Sequence, residues 1–165
     1  MSVLNVAIAG FGTIGSGVAH VLAQHSEHPD AKINLTGILE RDTQGKYVQS
    51  WFEKKPELFY ESPETLLEDP EVDVIVETIG GSGFARELIT KALQNGKHVI
   101  TANKDLIAVH GAELMEVARK NGRHLLFEAA VAGAIPVLRL LKDYLHVQDI
   151  QGIRAILNGT TNYIL

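Results

Sequence analysis

Ala9-Gly10-Phe11-Gly12-Thr13-Ile14-Gly15-Ser16-Gly17 follows the apolar run Val6-Ala7-Ile8 with no linker between them. A run that passes straight into a glycine turn, and then into apolar positions at helical spacing (Ile14, Val18, Val21, Leu22), reads as strand, turn and helix. The three glycines of the motif serve different steric ends. Gly10 allows a sharp turn, Gly12 lets the backbone approach a pyrophosphate, and Gly15 lets the helix pack tightly on the strand. The helix N-terminus then offers N–H groups to an anion. G-x-G-x-x-G is a weak signal by itself and gains weight from its place between a strand and a helix at the start of a domain. Two other readings fit the same residues: a glycine-rich turn that only packs, and a site for another adenosine-containing ligand such as a methyl donor.

Working outward, strands and helices alternate. Strands are expected at Asn5–Ala9, Ile33–Leu39, a short Leu58–Tyr60, Val72–Glu77, His98–Thr101 and His124–Glu128, nearly all continuously apolar and so buried on both faces. Helices are expected over Thr13 to about Gln24, over Phe84–Gln94 behind Ser82 as a cap and ahead of Gly96, and over Ala112–Asn121 ahead of Gly122. Asp30–Lys32, Thr43–Lys46 and Glu61–Pro63 read as surface connections. The pattern predicts an α/β fold, a doubly wound parallel sheet.

With 165 residues the chain can bury one full core but not two average domains. A net charge of -5 without a lysine and arginine cluster argues against a nucleic-acid surface. The chain has no cysteine, which excludes disulfides, thiolate metal sites and a cysteine nucleophile. Met1–Asn5 lacks a basic leader, and the longest mostly apolar stretch, Ala129–Leu138, is too short to span a bilayer, so a cytoplasmic protein without membrane partners is expected.

After Glu128 the residues become small, and Pro136 can open a helix that Val137, Leu138, Leu140, Leu141 and Tyr144 continue. Asp149–Leu157 reads as a strand and Asn158–Thr161 as a turn, followed by the apolar Tyr163-Ile164-Leu165. The expectation is a dinucleotide-binding domain over residues 1–130 and, over 131–165, the incomplete beginning of a second, truncated α+β domain of a longer protein.

Candidate site residues cluster at predicted strand ends. In Leu39-Glu40-Arg41-Asp42, Glu40 lies at about the 20-residue distance where an acid accepts from a ribose 2′-hydroxyl, whereas Arg41 suits a 2′-phosphate. Glu40 therefore favours NAD and Arg41 NADP, and Asp42 reads as a solvated strand end. Glu77-Thr78-Ile79-Gly80-Gly81 ends the fourth predicted strand, and its backbone should line the ribose region; Glu77 could equally be an acceptor for a loop N–H. Lys104 follows Thr101-Ala102-Asn103 and is expected to precede a short loop containing His110. It could donate to, or relay a proton to, a carbonyl oxygen, with Asn103 as its orienter; an exposed lysine is the alternative. The remaining histidines have no paired, zinc-like spacing.

Five blocks in order resemble homoserine dehydrogenase: Gly10–Gly15, Glu77–Gly81, Thr101–Ile107, Phe127–Pro136 and Leu157–Leu165. The resemblance implies a Rossmann-type nucleotide-binding portion of an enzyme that interconverts L-homoserine and L-aspartate 4-semialdehyde with NADP or NAD, on the way to threonine and methionine. It implies that Thr13 and Ile14 contact the coenzyme phosphates, that Arg41 meets the 2′-phosphate, and that Lys104 lies between nicotinamide and substrate. It further implies a sodium ion held by Glu128 and the carbonyl oxygens of Val131, Gly133 and Ile135, a donor set suited to a hard cation, although Glu128 could instead cap the following turn. Gly159 and Thr160 would touch the substrate, or only shape a turn.

The acidic and lysine residues that grip the substrate in this family lie downstream of Leu165. The fragment alone is therefore expected to bind coenzyme weakly and turn over little, and the intact enzyme to be a homodimer. A stand-alone nucleotide-binding or regulatory module is the competing reading. An aspartate-semialdehyde dehydrogenase would need a cysteine nucleophile.

Overall fold

The inner half of β1 (Ser2–Ala9) decides how the layers form. Val6, Ala7, Ile8 and Ala9 are all buried, and their alternation divides them between two cores. Ala7 and Ala9 join one with Leu66, Ile75, Leu88, Leu93, Leu106 and Leu114. Val6 and Ile8 join the other with Phe11, Ala19, Ile38 and Val48. A strand covered on both faces has no room for polar alternation, which is why this run is apolar throughout.

In the computed structural model, which describes residues 2–26, 30–133 and 135–144 together with 149, 151, 152 and 154, β1 lies inside a five-stranded parallel sheet. The other strands are β2 (Ala31–Leu39), β3 (Val74–Glu77), β4 (His98–Thr101) and β5 (Leu125–Leu126), in the order β2-β1-β3-β4-β5. The helices are α1 (Thr13–Gln24), α2 (Lys46–Phe52), α3 (Pro63–Glu68), α4 (Gly83–Gln94), α5 (Lys104–Lys120) and α6 (Val137–Tyr144). Consecutive crossovers leave β1 toward β2 and later return to its other side at β3. Ala9 pairs with both Leu39 and Glu77, and Glu77 pairs with Thr101, so Leu39, Ala9, Glu77 and Thr101 form one row at the carboxyl edge. Ligands of open α/β sheets bind outside such a reversal. This is the doubly wound, Rossmann-like architecture expected.

Several elements differ from expectation. The short strand at Leu58–Tyr60 is a tight turn over Pro56–Leu58 followed by a single bridge from Phe59 to Ile38. The last strand shrinks from His124–Glu128 to Leu125–Leu126, because Phe127 (φ -142°, ψ 28°) leaves the extended region and Glu128–Ala130 closes a turn. Lys104 opens no loop: α5 starts there, with Asn103 as cap and His110 and Gly111 inside the helix. The Ser82 side chain makes no capping bond. α2 and α3 were not expected; α3 carries a reciprocal cap between Ser62 and Thr65 with Pro63 at its first position.

α4 and α5 do stop where expected, at Gly96 (φ +80°) and Gly122 (φ +63°). There the chain turns left-handed and the N–H groups of Lys97 and Arg123 return to Ala92 and Ala118. α6 follows Pro136 and buries none of its residues. The expected strand over 149–157 falls largely, and the turn over 158–161 with Gly159 and Thr160 wholly, outside the described residues. No helix of the described residues is long and apolar enough to cross a membrane.

Candidate functional site

The glycine turn is built by contacts only glycine permits. At Gly10 φ is +93°, and a Cβ there would lie 2.8 Å from the Ile79 nitrogen and the Thr78 carbonyl carbon. At Gly15 a Cβ would lie 2.0 Å from the Gly10 carbonyl oxygen, so α1 rests directly on the turn. The turn is tied to both flanking strands: Gly10 donates to the Leu39 carbonyl (2.8 Å), and the Thr78 hydroxyl donates to the Gly10 carbonyl (2.8 Å). Phe11 is buried and meets Trp51 and Phe59 edge-on, with centroids 5.8 and 6.1 Å away. Its side chain anchors the turn from below.

Gly12 differs from the other two. A Cβ on it would meet nothing within 4 Å, so this glycine faces open space. α1 starts there with no side-chain cap and no acidic residue in its first turn. Among the described residues, the N–H groups of Gly12, Thr13 and Ile14 have no acceptor. Free N–H groups at a helix start carry partial positive charge and suit an anion. A cradle that a Cβ would fill, floored by unclaimed donors, fits a pyrophosphate.

A cavity of about 590 Å³ runs from this turn, lined among others by Gly12, Glu40, Arg41, Glu61, Ile79 and Phe84. Glu40 accepts from the Phe11 N–H (2.6 Å) and from the Asp42 N–H (2.9 Å). A carboxylate has about four acceptor sites, so it retains capacity for a hydroxyl. Arg41 is exposed and has no hydrogen-bond or ion-pair partner among the described residues. Thr13 donates to the Tyr47 hydroxyl (3.2 Å), a contact that, with Lys46 beside it, holds the phenol below its ordinary pKa. Thr78, expected here through its backbone, also brings its hydroxyl to the turn, whereas Phe84, which lines the cavity, and Tyr47, which meets Thr13, join the site without having been singled out.

The β3 and β4 ends share one buried network. Glu77 accepts from the Ile79 N–H (2.8 Å), the Gly80 N–H (3.2 Å) and the Thr101 hydroxyl. The Asn103 N–H donates to Thr101 Oγ1 (3.0 Å), while the Asn103 side chain donates to the Gly81 carbonyl (2.6 Å) and accepts from the Leu106 N–H (3.1 Å). Asn103 thus fixes the start of α5. Lys104, the first residue of that helix, is exposed and unpartnered among the described residues. His110 lies inside α5, beside Glu113 (3.5 Å).

Past β5, the Glu128 carboxylate accepts from the Leu138 N–H (2.9 Å) and so caps α6. Among the described residues the carbonyls of Val131 and Gly133 accept no hydrogen bond, whereas that of Ile135 accepts from Val137 (2.8 Å). No cluster of three acidic, histidine or cysteine side chains stands ready for a metal among the described residues.

The family model described as homoserine dehydrogenase, NAD binding domain, matches residues 10–128, and a second, described as homoserine dehydrogenase, matches 136–165. The homoserine dehydrogenases of Bacillus subtilis and Pseudomonas aeruginosa are 37% and 40% identical over 100% of this chain. The chain spans only 38% of the length of either. A crystal structure of the Thiobacillus denitrificans enzyme superposes with a TM-score of 0.83 over 99% of this chain and 38% of that one, at 36% identity. A hyperthermophilic archaeal homoserine dehydrogenase in complex with NADPH superposes at 0.68, with 28% identity, over 84% of this chain and 48% of that one.

Proposed function

This chain belongs to the homoserine dehydrogenase family, and on that premise we propose that it supplies the coenzyme-binding part of an NAD(P)-dependent enzyme interconverting L-homoserine and L-aspartate 4-semialdehyde. The observation that carries this reading is the open, donor-floored turn at Gly12, placed at the reversal between β1 and β3. When bound, the nicotinamide coenzyme supplies the redox chemistry, and the protein supplies binding and orientation. The backbone of Gly10–Gly15, with Phe11 held in the core, receives the pyrophosphate, Thr13 and Ile14 contributing their N–H groups. Glu40 accepts from the adenosine ribose, and Arg41 meets a 2′-phosphate where one is present. Ile79 and Gly80 line the far ribose.

Lys104 stands at the start of α5, beyond β4, and acts as the donor toward the substrate carbonyl oxygen. Glu128, with the carbonyls of Val131, Gly133 and Ile135, holds a sodium ion. The unclaimed carbonyls of Val131 and Gly133 support this, while the α6 cap occupies one Glu128 oxygen. Residues 131–165 open the substrate domain, where Gly159 and Thr160 touch the substrate; the gap between the two family matches, after 128 and before 136, supports a boundary there. The intact enzyme is a cytoplasmic homodimer, and the 165-residue chain alone is at most weakly active.

The test is calorimetric titration of NADH and NADPH into the chain and into Arg41→Ala. Selective loss of NADPH supports the phosphate role, and equal loss of both refutes it. Absence of heat with either coenzyme refutes the coenzyme reading altogether. A robust steady-state rate with homoserine would contradict the expected inactivity of the fragment.

A further inference from the structure

A sheet edge read from β2 to β4 has a direction. Glu40 and Arg41 follow β2, the glycine turn leaves β1 in the middle, and Glu77 and Thr101 end β3 and β4. A dinucleotide whose adenosine half lies by β2 and whose phosphates lie on α1 must place its second half over β3 and β4. That second half would meet two features: the Ile79–Gly81 loop, with Gly80 and Gly81 at φ +81° and +69° and open space beyond them, and Lys104 on α5.

Resting on the coenzyme reading above, we propose that Glu77 is a positioning residue that sets these two features in one fixed relation, acting through Thr101 and Asn103. Its side chain is fully buried, yet no cation among the described residues lies within ion-pair distance of it. A buried carboxylate is an expensive way to hold a loop, and an apolar residue often serves stability as well. What a carboxylate adds is direction, because it only accepts. The Thr101 proton must therefore point to Glu77, and the Thr101 lone pair is left for the Asn103 N–H. Asn103 then joins the Gly81 carbonyl to the first turn of α5. The loop N–H groups donate to Glu77 from one side, and the Thr101 hydroxyl, itself accepting from the Asn103 N–H, donates from the other, so both arms converge on the carboxylate and tie Ile79 and Gly80 to the residue next to Lys104.

Glu77→Gln keeps the shape and retains an acceptor for the loop. It turns an N–H toward Thr101, whose proton then has no acceptor. Thr101→Val removes the relay hydroxyl at nearly constant volume, and Thr101→Ser restores it. The readout is the affinity of the 165-residue chain for NADH and NADPH beside its affinity for ADP, which carries the adenosine half only. Glu77→Gln and Thr101→Val are expected to weaken the dinucleotides about tenfold, the scale of one buried hydrogen-bond change. ADP affinity should stay within about twofold, and Thr101→Ser should recover wild-type values. ADP binding also reports that each variant is folded, and the Thr101 pair stands even where Glu77→Gln does not fold. Parallel weakening of ADP and dinucleotide, or no weakening of either, would overturn the positioning role while leaving the coenzyme reading intact. A wild-type chain that binds none of these ligands overturns both.

Discussion

Gly12→Ala separates a ligand-binding turn from one that merely packs, because affinity should fall while stability stays nearly unchanged. The residue sits at φ -76° and ψ -153°, extended backbone that alanine adopts freely, and its Cβ would find no protein atom within 4 Å. As the residue preceding α1 it caps without a side chain, and alanine is the poorer cap by about 0.5–1 kcal/mol. Against this, alanine restricts the unfolded chain and returns about 0.4–1 kcal/mol. The two offset, so Tm should shift by no more than about 2 °C. A methyl in the space reserved for a pyrophosphate is overpacking at the ligand, about 1–3 kcal/mol, or roughly a 5- to 150-fold rise in Kd. Thermal melts and calorimetric titration of NADH and NADPH on the same preparation measure both quantities. Unchanged affinity would refute the cradle, and a large fall in Tm would refute the open space around Gly12.

Gly15→Ala should behave in the reverse manner: its Cβ would lie 2.0 Å from a backbone oxygen, so α1 must shift, at a cost of about 3 kcal/mol that a melt reads as roughly 6–12 °C. Gly17→Ala, two residues on, meets nothing within 4 Å and should stabilise by about 0.5–1 kcal/mol. His98 Nδ1 accepts the His124 N–H (3.0 Å), and burial, then the neighbouring His124 and Arg123, lower its pKa from the ordinary 6.5 against the opposing pull of Asp73. The unfolded chain therefore binds the proton first. The His98 contribution is complete above pH 6.5 and is lost as pH falls from there toward the lowered folded value; His98→Asn, which keeps an acceptor without titrating, should flatten that part of the Tm–pH curve. Lys97 is buried at the opposite, amino edge, where its ammonium donates to the Asp69 and Val72 carbonyls. Lys97→Met should cost about 1–3 kcal/mol in denaturant unfolding and leave coenzyme affinity unchanged.

The residues that were legible in the sequence are those whose chemistry is local. Gly10 and Gly15 declare themselves because the turn geometry admits nothing else, and Gly96 and Gly122 because left-handed helix ends favour glycine. The start of α5 was not legible in the same way. Gly111 resembles a helix breaker, which moves the expected helix start past it, yet Gly111 is buried in mid-helix with Ile107 3.3 Å from where its Cβ would be. The usable signal was Asn103 followed by Asp105, a cap and an acid in the first turn. Glu77 and Glu128 mark the limit of local reading. Both invited two interpretations: the loop N–H groups that Glu77 accepts from are local, but its further partner Thr101 lies across the β3–β4 register, and the N–H that Glu128 accepts from belongs to Leu138 on α6. Register and helix placement are tertiary facts, and no spacing rule contains them.

The same row of strand ends explains how an acidic chain can hold an anion. The net charge of -5 gives no long-range attraction for a phosphate-bearing ligand. Attraction must therefore be local, and the parallel sheet supplies it by geometry. Because all five strands run the same way, every helix that follows a strand begins at the carboxyl edge, so the positive ends of α1, α4 and α5 gather there. Arg41 and Lys104, cations without a partner among the described residues, follow β2 and β4, on either side of the free N–H groups of α1. Acceptors alternate with these donors: Glu40 is tied down by backbone N–H groups, and Glu77 is buried beneath the loop. An elongated ligand with hydroxyls at its flanks and phosphates at its centre matches that order of donors and acceptors. A compact anion would use only the middle of it.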